Sequence, residues 1–283
     1  MASPALLGLT LFVALPFLLA LGLSFTNLRL GSPLPTQFVG WESYRRLAAD
    51  PAFRQALINN LLFAAVVVPT QTGIALGLAL MLNRPLRGMS IFRTFFFMPV
   101  VFPMSLLAVV WKLIYAPGPD GPANTLLSLI SFGAWGPFDY LHDARLALPA
   151  IMLMSIWQGV GFQMVVLLAG LQSIPRVLYE AAALDGADSG RQFVHITIPQ
   201  LRNPLIFTAL VTGILAFRLF DQVQIMTRGG PRNATTTMMY EAVVTAFEKQ
   251  QIGQAAAITV VFFAIVLALT WMQRALLRQE RSI

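Results

Sequence analysis

Long apolar runs alternate with short polar interludes along this chain. A helix that crosses a bilayer needs about 20 predominantly apolar residues. Six intervals between successive charged side chains approach or exceed that length, and they predict spans at about 4–26, 56–82, 91–115, 147–172, 203–226 and 251–273. The fifth is uncharged only from Asn203 to Phe217 and continues through Arg218 and Asp221 to about Met226. Only helices and closed barrels satisfy their backbone groups in lipid, so the pattern predicts an all-α, polytopic bundle in which residues 1–283 form one membrane domain. Pro16, Pro69, Pro99 and Pro103 fall inside spans and are expected kinks. A cleavable signal peptide is the alternative for the first run, since Ala20 and Gly22 make a small-x-small site. The missing basic segment ahead of that run and its long apolar core favour a retained span.

The interlude at 173–202 reads as a polar, helix-forming island between two long apolar runs. Pro175 suits a helix start. Val177, Leu178, Ala181 and Leu184 then form an apolar stripe at helical spacing, with Arg176 and Glu180 one turn apart on another face. Gly186 supplies a turn. Ser189 and Gln192 match a capping box that opens a second short helix through Phe193 to Thr197, closed by Pro199. The expected object is a helix–turn–helix hairpin projecting from the bundle. By its pattern alone it reads first as a passive loop joining two spans.

Composition agrees with the bilayer: 57% of residues are hydrophobic, 11% are charged and mean hydropathy is +0.71, where soluble domains carry about 25% charged residues. The net charge of +7 does not indicate nucleic acid, because the bases are scattered singly between apolar runs and form no stripe. The absence of cysteine excludes disulfides, thiolate nucleophiles and iron–sulfur ligation. His142 and His195 are too few for a metal cluster, and His195 is expected on the hairpin's polar face. No G-x-x-x-x-G-K-[ST] occurs, so the chain has no phosphate-binding loop for ATP.

If both termini are cytoplasmic, the inner segments hold nine bases, Arg84, Arg87, Arg274, Arg278 and Arg281 among them, against eight outside. That difference is too small for the positive-inside rule to decide orientation. The outer segments would be Asn27 to Arg54, Pro117 to Arg145 and Thr227 to Lys249. In the second, Leu126, Leu127, Leu129, Ile130 and Phe132 predict an interfacial amphipathic helix. Trp111, Trp135 and Tyr140 are expected at headgroup level, and Lys112 is expected to snorkel to the interface.

Glu180, Ala181 and Ala182, followed by Gly186, Ile196 and Pro199, resemble the EAA-x3-G-x9-I-x-L-P loop of ABC importer permeases, with Ile198 where that family usually has Leu. LQSIPRVLYEAAALDGA (171–187) and AFRLFDQVQIMTRGGP (216–231) are similar to the subgroup for sugars and glycerol phosphates, although Arg228 stands where Gly is common. The chain thus resembles the first permease of maltose-type importers.

The resemblance implies a type I importer permease fold in a bacterial or archaeal cytoplasmic membrane, with both termini and the loop in the cytoplasm. The loop would act as a coupling helix through Glu180, Ala181, Ala182, Asp185, Gly186, Arg191, Ile196 and Pro199. Implied partners are a second homologous permease, two ABC ATPase subunits that hold ATP and Mg, an extracytoplasmic substrate-binding protein and the surrounding lipid. The chain itself would carry no cofactor, metal or catalytic residue. Substrate contacts carry over to Ser155, Gly159 and Arg218. Trp157 and Gln158 are added because an amide beside an aromatic face suits a sugar. Asp221, three residues from Arg218 on what reads as one helix, is either its ion-pair partner or a second pathway residue. The rival reading is a stand-alone secondary transporter or channel, for which Asp221 would be the one intramembrane carboxylate.

Overall fold

The computed structural model describes residues 3–33, 35–83 and 88–278 of the 283. Arg84, Arg87 and Arg281, expected among the cytoplasmic bases, lie outside the described residues, as do the side chains of Arg274 and Arg278. The order of elements is α1 (Ser3–Leu9), a π turn (Thr10–Ala14), α2 (Leu15–Leu23), α3 (Glu42–Ala49), α4 (Pro51–Leu82), α5 (Met89–Val101), α6 (Met104–Ile114), α7 (Pro122–Ile130) and α8 (Ala147–Gln172). There follow α9 (Arg176–Leu184), α10 (Ser189–Gln192), a π turn (Phe193–Thr197), α11 (Ile198–Gln200), α12 (Arg202–Phe217), α13 (Asp221–Met226), α14 (Met238–Val243), a π turn (Val244–Glu248) and α15 (Ile252–Arg278). Among the described residues four helices are long and apolar enough to cross a membrane, and six crossings result if each bent pair counts as one.

The prolines act unequally. α4 starts on Asp50, whose carboxylate accepts from Ala52 N at 2.9 Å, with Pro51 in the first turn. It then runs unbroken through Pro69. The third crossing is not one straight helix: α5 and α6 meet at 100°. Pro103 forces Phe102 into extended backbone (ψ 142°) by the clash that bars a residue before proline from helical conformation. Ahead of Pro16 and of Pro199 the chain widens into a π turn, a common answer to a missing amide inside a helix.

α8 is the axis of the molecule. Of its most apolar window 56% is buried, against 0% for the first crossing, so α8 is interior and α1–α2 lie at the edge, where Phe17 meets Phe263 of α15 at 4.3 Å. Glycines let neighbours approach α8 closely. A side chain at Gly161 would overlap the Phe96 carbonyl of α5, and one at Gly170 would stand 2.9 Å from Leu201 and Pro204. On α7, Leu126, Leu129, Ile130 and the following Phe132 are exposed. Trp111 is half-buried, edge-on to Trp157 at 5.5 Å and tilted on Tyr115 at 5.2 Å. Lys112 remains exposed and donates to Ile225 O at 3.3 Å.

Candidate functional site

A cavity of about 290 Å³ lies between α4, α8 and the break that follows α12. Its walls include Ser155, Gln158 and Gly159 of α8, Gln71 of α4, and Arg218, Asp221 and Gln222 from the end of the fifth crossing. Ser155, Gln158 and Gly159 fall on one face because residues three and four apart share a helix face. The absent side chain at Gly159 makes room for Gln71, whose amide nitrogen would be 2.5 Å from an added Cβ. Ser155 Oγ donates to Ile151 O at 2.8 Å and accepts from Gln222 Nε2 at 3.4 Å. Deeper in the bundle Gln163 Nε2 donates to Thr212 Oγ1, leaving Gln163 Oε1 buried without a partner among the described residues. Amides and hydroxyls with one guanidinium and one carboxylate suit a polyhydroxylated solute, since each can exchange water for a solute hydroxyl.

Two expectations for this region fail. Trp157 does not line the cavity: two residues on from Ser155 it points to another side of α8, is 42% exposed and packs against Trp111. Arg218 and Asp221 do not share a helix, and they form no ion pair among the described residues. α12 ends at Phe217 with Arg218 as its cap, and α13 begins at Asp221. Both side chains are exposed at the cavity. Gln71, Thr212 and Gln222 were missed by sequence reasoning. The usable signal was their polarity inside apolar runs, where an uncompensated amide is costly.

The segment 173–202 folds as a hairpin continuing from the end of α8. From Gly159 to Gln172 the rise of one helix spans about 20 Å. α9 ends in an αL cap: Gly186 has φ +79°, Gly186 N bonds Ala183 O at 3.1 Å, and Ala187 N bonds Ala182 O at 2.8 Å. The second arm is capped by Asp188 and not by Ser189, since Asp188 Oδ1 accepts from Arg191 N at 2.7 Å. Gln192, expected to complete a capping box, instead donates to Ala187 O at 3.2 Å and Tyr179 O at 3.5 Å, tying the arms together. Tyr179 Oη and Thr197 Oγ1 join them at 2.9 Å, and Tyr179 and Ile196 pack on the bundle.

The outward face of α9 has no cover among the described residues. Val177, Leu178, Ala181 and Leu184 are exposed, Leu184 by 90%. Glu180, Asp185, Arg191 and Pro199 are exposed too, and Glu180 forms no ion pair with Arg176 among the described residues. His195 is exposed, with Nδ1 at 3.0 Å from Arg191 O. Among the described residues no three His, Cys, Asp or Glu side chains are grouped as a metal site.

Residues 71–282 match the family described as binding-protein-dependent transport system inner membrane component. The chain is 38% identical over 276 residues to the probable ABC transporter permease protein YurN of Bacillus subtilis (strain 168), covering 95% of this chain and 92% of that one. It is 34% identical over 267 residues to the diacetylchitobiose uptake system permease protein NgcF of Streptomyces coelicolor, covering 91% and 75%. Its fold is similar to a chain in the crystal structure of a bacterial alginate ABC transporter in complex with alginate pentasaccharide-bound periplasmic protein, with a TM-score of 0.84, 18% identity, and coverage of 98% and 92%.

Proposed function

The chain belongs to the binding-protein-dependent transport system inner membrane component family, and on that premise we propose that this multi-pass membrane protein is the permease of an ABC importer for a sugar, polyol or glycerol-phosphate solute. The observation that carries the reading is the placement of α8, which forms one wall of the polar cavity and is joined to the exposed hairpin by only Ser173, Ile174 and Pro175. Movement imposed on the hairpin is thereby imposed on the cavity. The carbohydrate class is supported by the cavity's amides and hydroxyls and by the uptake of diacetylchitobiose named for one relative.

In this reading the hairpin faces the cytoplasm, so both termini do as well, and the membrane is the cytoplasmic membrane of a bacterium or archaeon. The apolar residues Val177, Leu178 and Leu184 enter a groove on an ABC ATPase subunit. Glu180 meets a basic or polar group there, a contact whose directionality transmits rotation without slipping. ATP and Mg are held by two such subunits and supply the driving energy by hydrolysis. A second, homologous permease closes the open side of the cavity. An extracytoplasmic binding protein delivers the solute when the bundle opens outward, and Gln158 and Arg218 donate to its hydroxyls while Ser155, Asp221 and Gln222 accept.

The rival stand-alone carrier differs in what it needs. Purification in mild detergent is expected to co-elute this chain with a nucleotide-binding subunit, and uptake into vesicles is expected to require ATP. Uptake by the lone chain without ATP would contradict the proposal. Arg218→Ala is expected to raise the uptake KM about tenfold, the effect of losing a charged hydrogen bond in a partly desolvated site, with assembly intact. Unchanged uptake kinetics would remove Arg218 from the pathway.

A further inference from the structure

Arg218 stands at the cavity where the fifth crossing is broken, and the break is held by side chains to which the function above gives no part. Where α12 stops, the carbonyls of its last turn lose the amides that a continuing helix would offer. Asn60 of α4, which is 0% exposed, takes them up: its amide nitrogen donates to Ala216 O at 3.2 Å and to Phe217 O at 3.4 Å. Its side-chain oxygen accepts Met238 N at 2.8 Å. Thr237, also 0% exposed, donates its hydroxyl to Leu219 O at 2.6 Å. The neighbouring Asn59 donates to Asn233 O at 3.0 Å and Thr236 O at 2.8 Å, fixing the segment that returns over the break.

A buried amide in an apolar crossing is costly unless its hydrogen bonds are made. Here all three bonds of Asn60 go to backbone groups on either side of the break. α4 also supplies Phe63, Val67 and Gln71 to the cavity wall. The same helix therefore builds the wall and sets the point at which the fifth crossing stops.

We propose that Asn60, assisted by Thr237, is the positioning residue for Arg218: it stabilises the broken form of the fifth crossing over a continuous helix and so fixes where the guanidinium enters the cavity. The proposal rests on the reading that Arg218 faces a water-filled solute pathway. Arg218 N already bonds Ile214 O and Leu215 O in the last turn of α12; without the Asn60 bonds that turn is no longer anchored to α4, and residue 218 moves off the cavity wall.

The lack of cysteine in the chain permits a test that needs no identified solute. The assembled importer in membrane vesicles, with Arg218→Cys as this chain's one cysteine, is treated with the water-soluble reagent trimethylammonium-ethyl methanethiosulfonate. The rate is read from the mass shift of this chain. Adding Asn60→Ala is expected to slow modification at position 218 about tenfold, the population shift that a lost buried hydrogen bond gives. Thr237→Val, which keeps the shape and removes the bond to Leu219 O together with the cap bond from Tyr240 N, is expected to slow it less, and Thr237→Ser to restore it. Gln158→Cys, on α8, is expected to react at the same rate with and without these changes. An unchanged rate at 218, or an equal fall at 158 and 218, would overturn the positioning role. No reaction of Arg218→Cys in the otherwise unaltered chain would instead overturn the placement of Arg218 in the pathway.

Discussion

At Gly161 an added methyl group would overlap the Phe96 carbonyl oxygen and carbon, which are backbone atoms of a packed helix and cannot rotate away. Gly161→Ala is therefore expected to destabilise the chain by about 1–3 kcal/mol, the usual cost of overpacking, seen as a lower unfolding midpoint in detergent. Gly73→Ala, with nothing within 4 Å of the added atom, is the contrasting substitution and is expected to leave the midpoint unchanged or raised. Residue identity revealed part of this in advance. Ser155, Gln158 and Gly159 share a face by helical spacing alone, and Arg218 stands out as a charge in an apolar run. Trp157 did not follow, because which side of α8 meets α6 depends on the 100° bend between α5 and α6, and no local spacing encodes it.

At the scale of elements, the hairpin was legible and its cap was misplaced by one residue. Asp188 and Ser189 are both good N-cap residues, and the choice falls to Asp188 because its backbone is extended (ψ 171°) while Ser189 is already helical. Asp188→Ala is expected to cost about 1 kcal/mol of local stability, measured as faster amide exchange across residues 189–200, whereas Ser189→Ala is expected to leave that exchange unchanged. Equal effects at both positions would return the cap to Ser189. The crossings were legible because bilayer thickness demands long apolar runs. The interruption at Arg218–Phe220 was not, since the carbonyls it frees are satisfied from Asn60, 156 and 157 residues away in sequence. A break of that kind is a tertiary decision, and sequence continuity through Asp221 concealed it.

For the whole molecule, the proposed function turns on one mechanical link. Among the described residues the hairpin presents an exposed apolar stripe and a Glu180 without an ion pair at one end of α8, and the polar cavity lies about 20 Å along the same helix. Bases divided nine to eight left the direction of the bundle open, so in the proposed function the orientation rests on the hairpin as the coupling does. A substitution at Glu180 separates these roles from stability, because the residue is exposed and its replacement leaves the packing of α9 unchanged. The most direct measurement is ATP hydrolysis and solute uptake followed together in proteoliposomes holding the complete importer and its loaded binding protein. With Glu180→Lys the account predicts that uptake is lost while ATP hydrolysis persists at its unstimulated rate; uptake still coupled to hydrolysis as in the unaltered chain would contradict it.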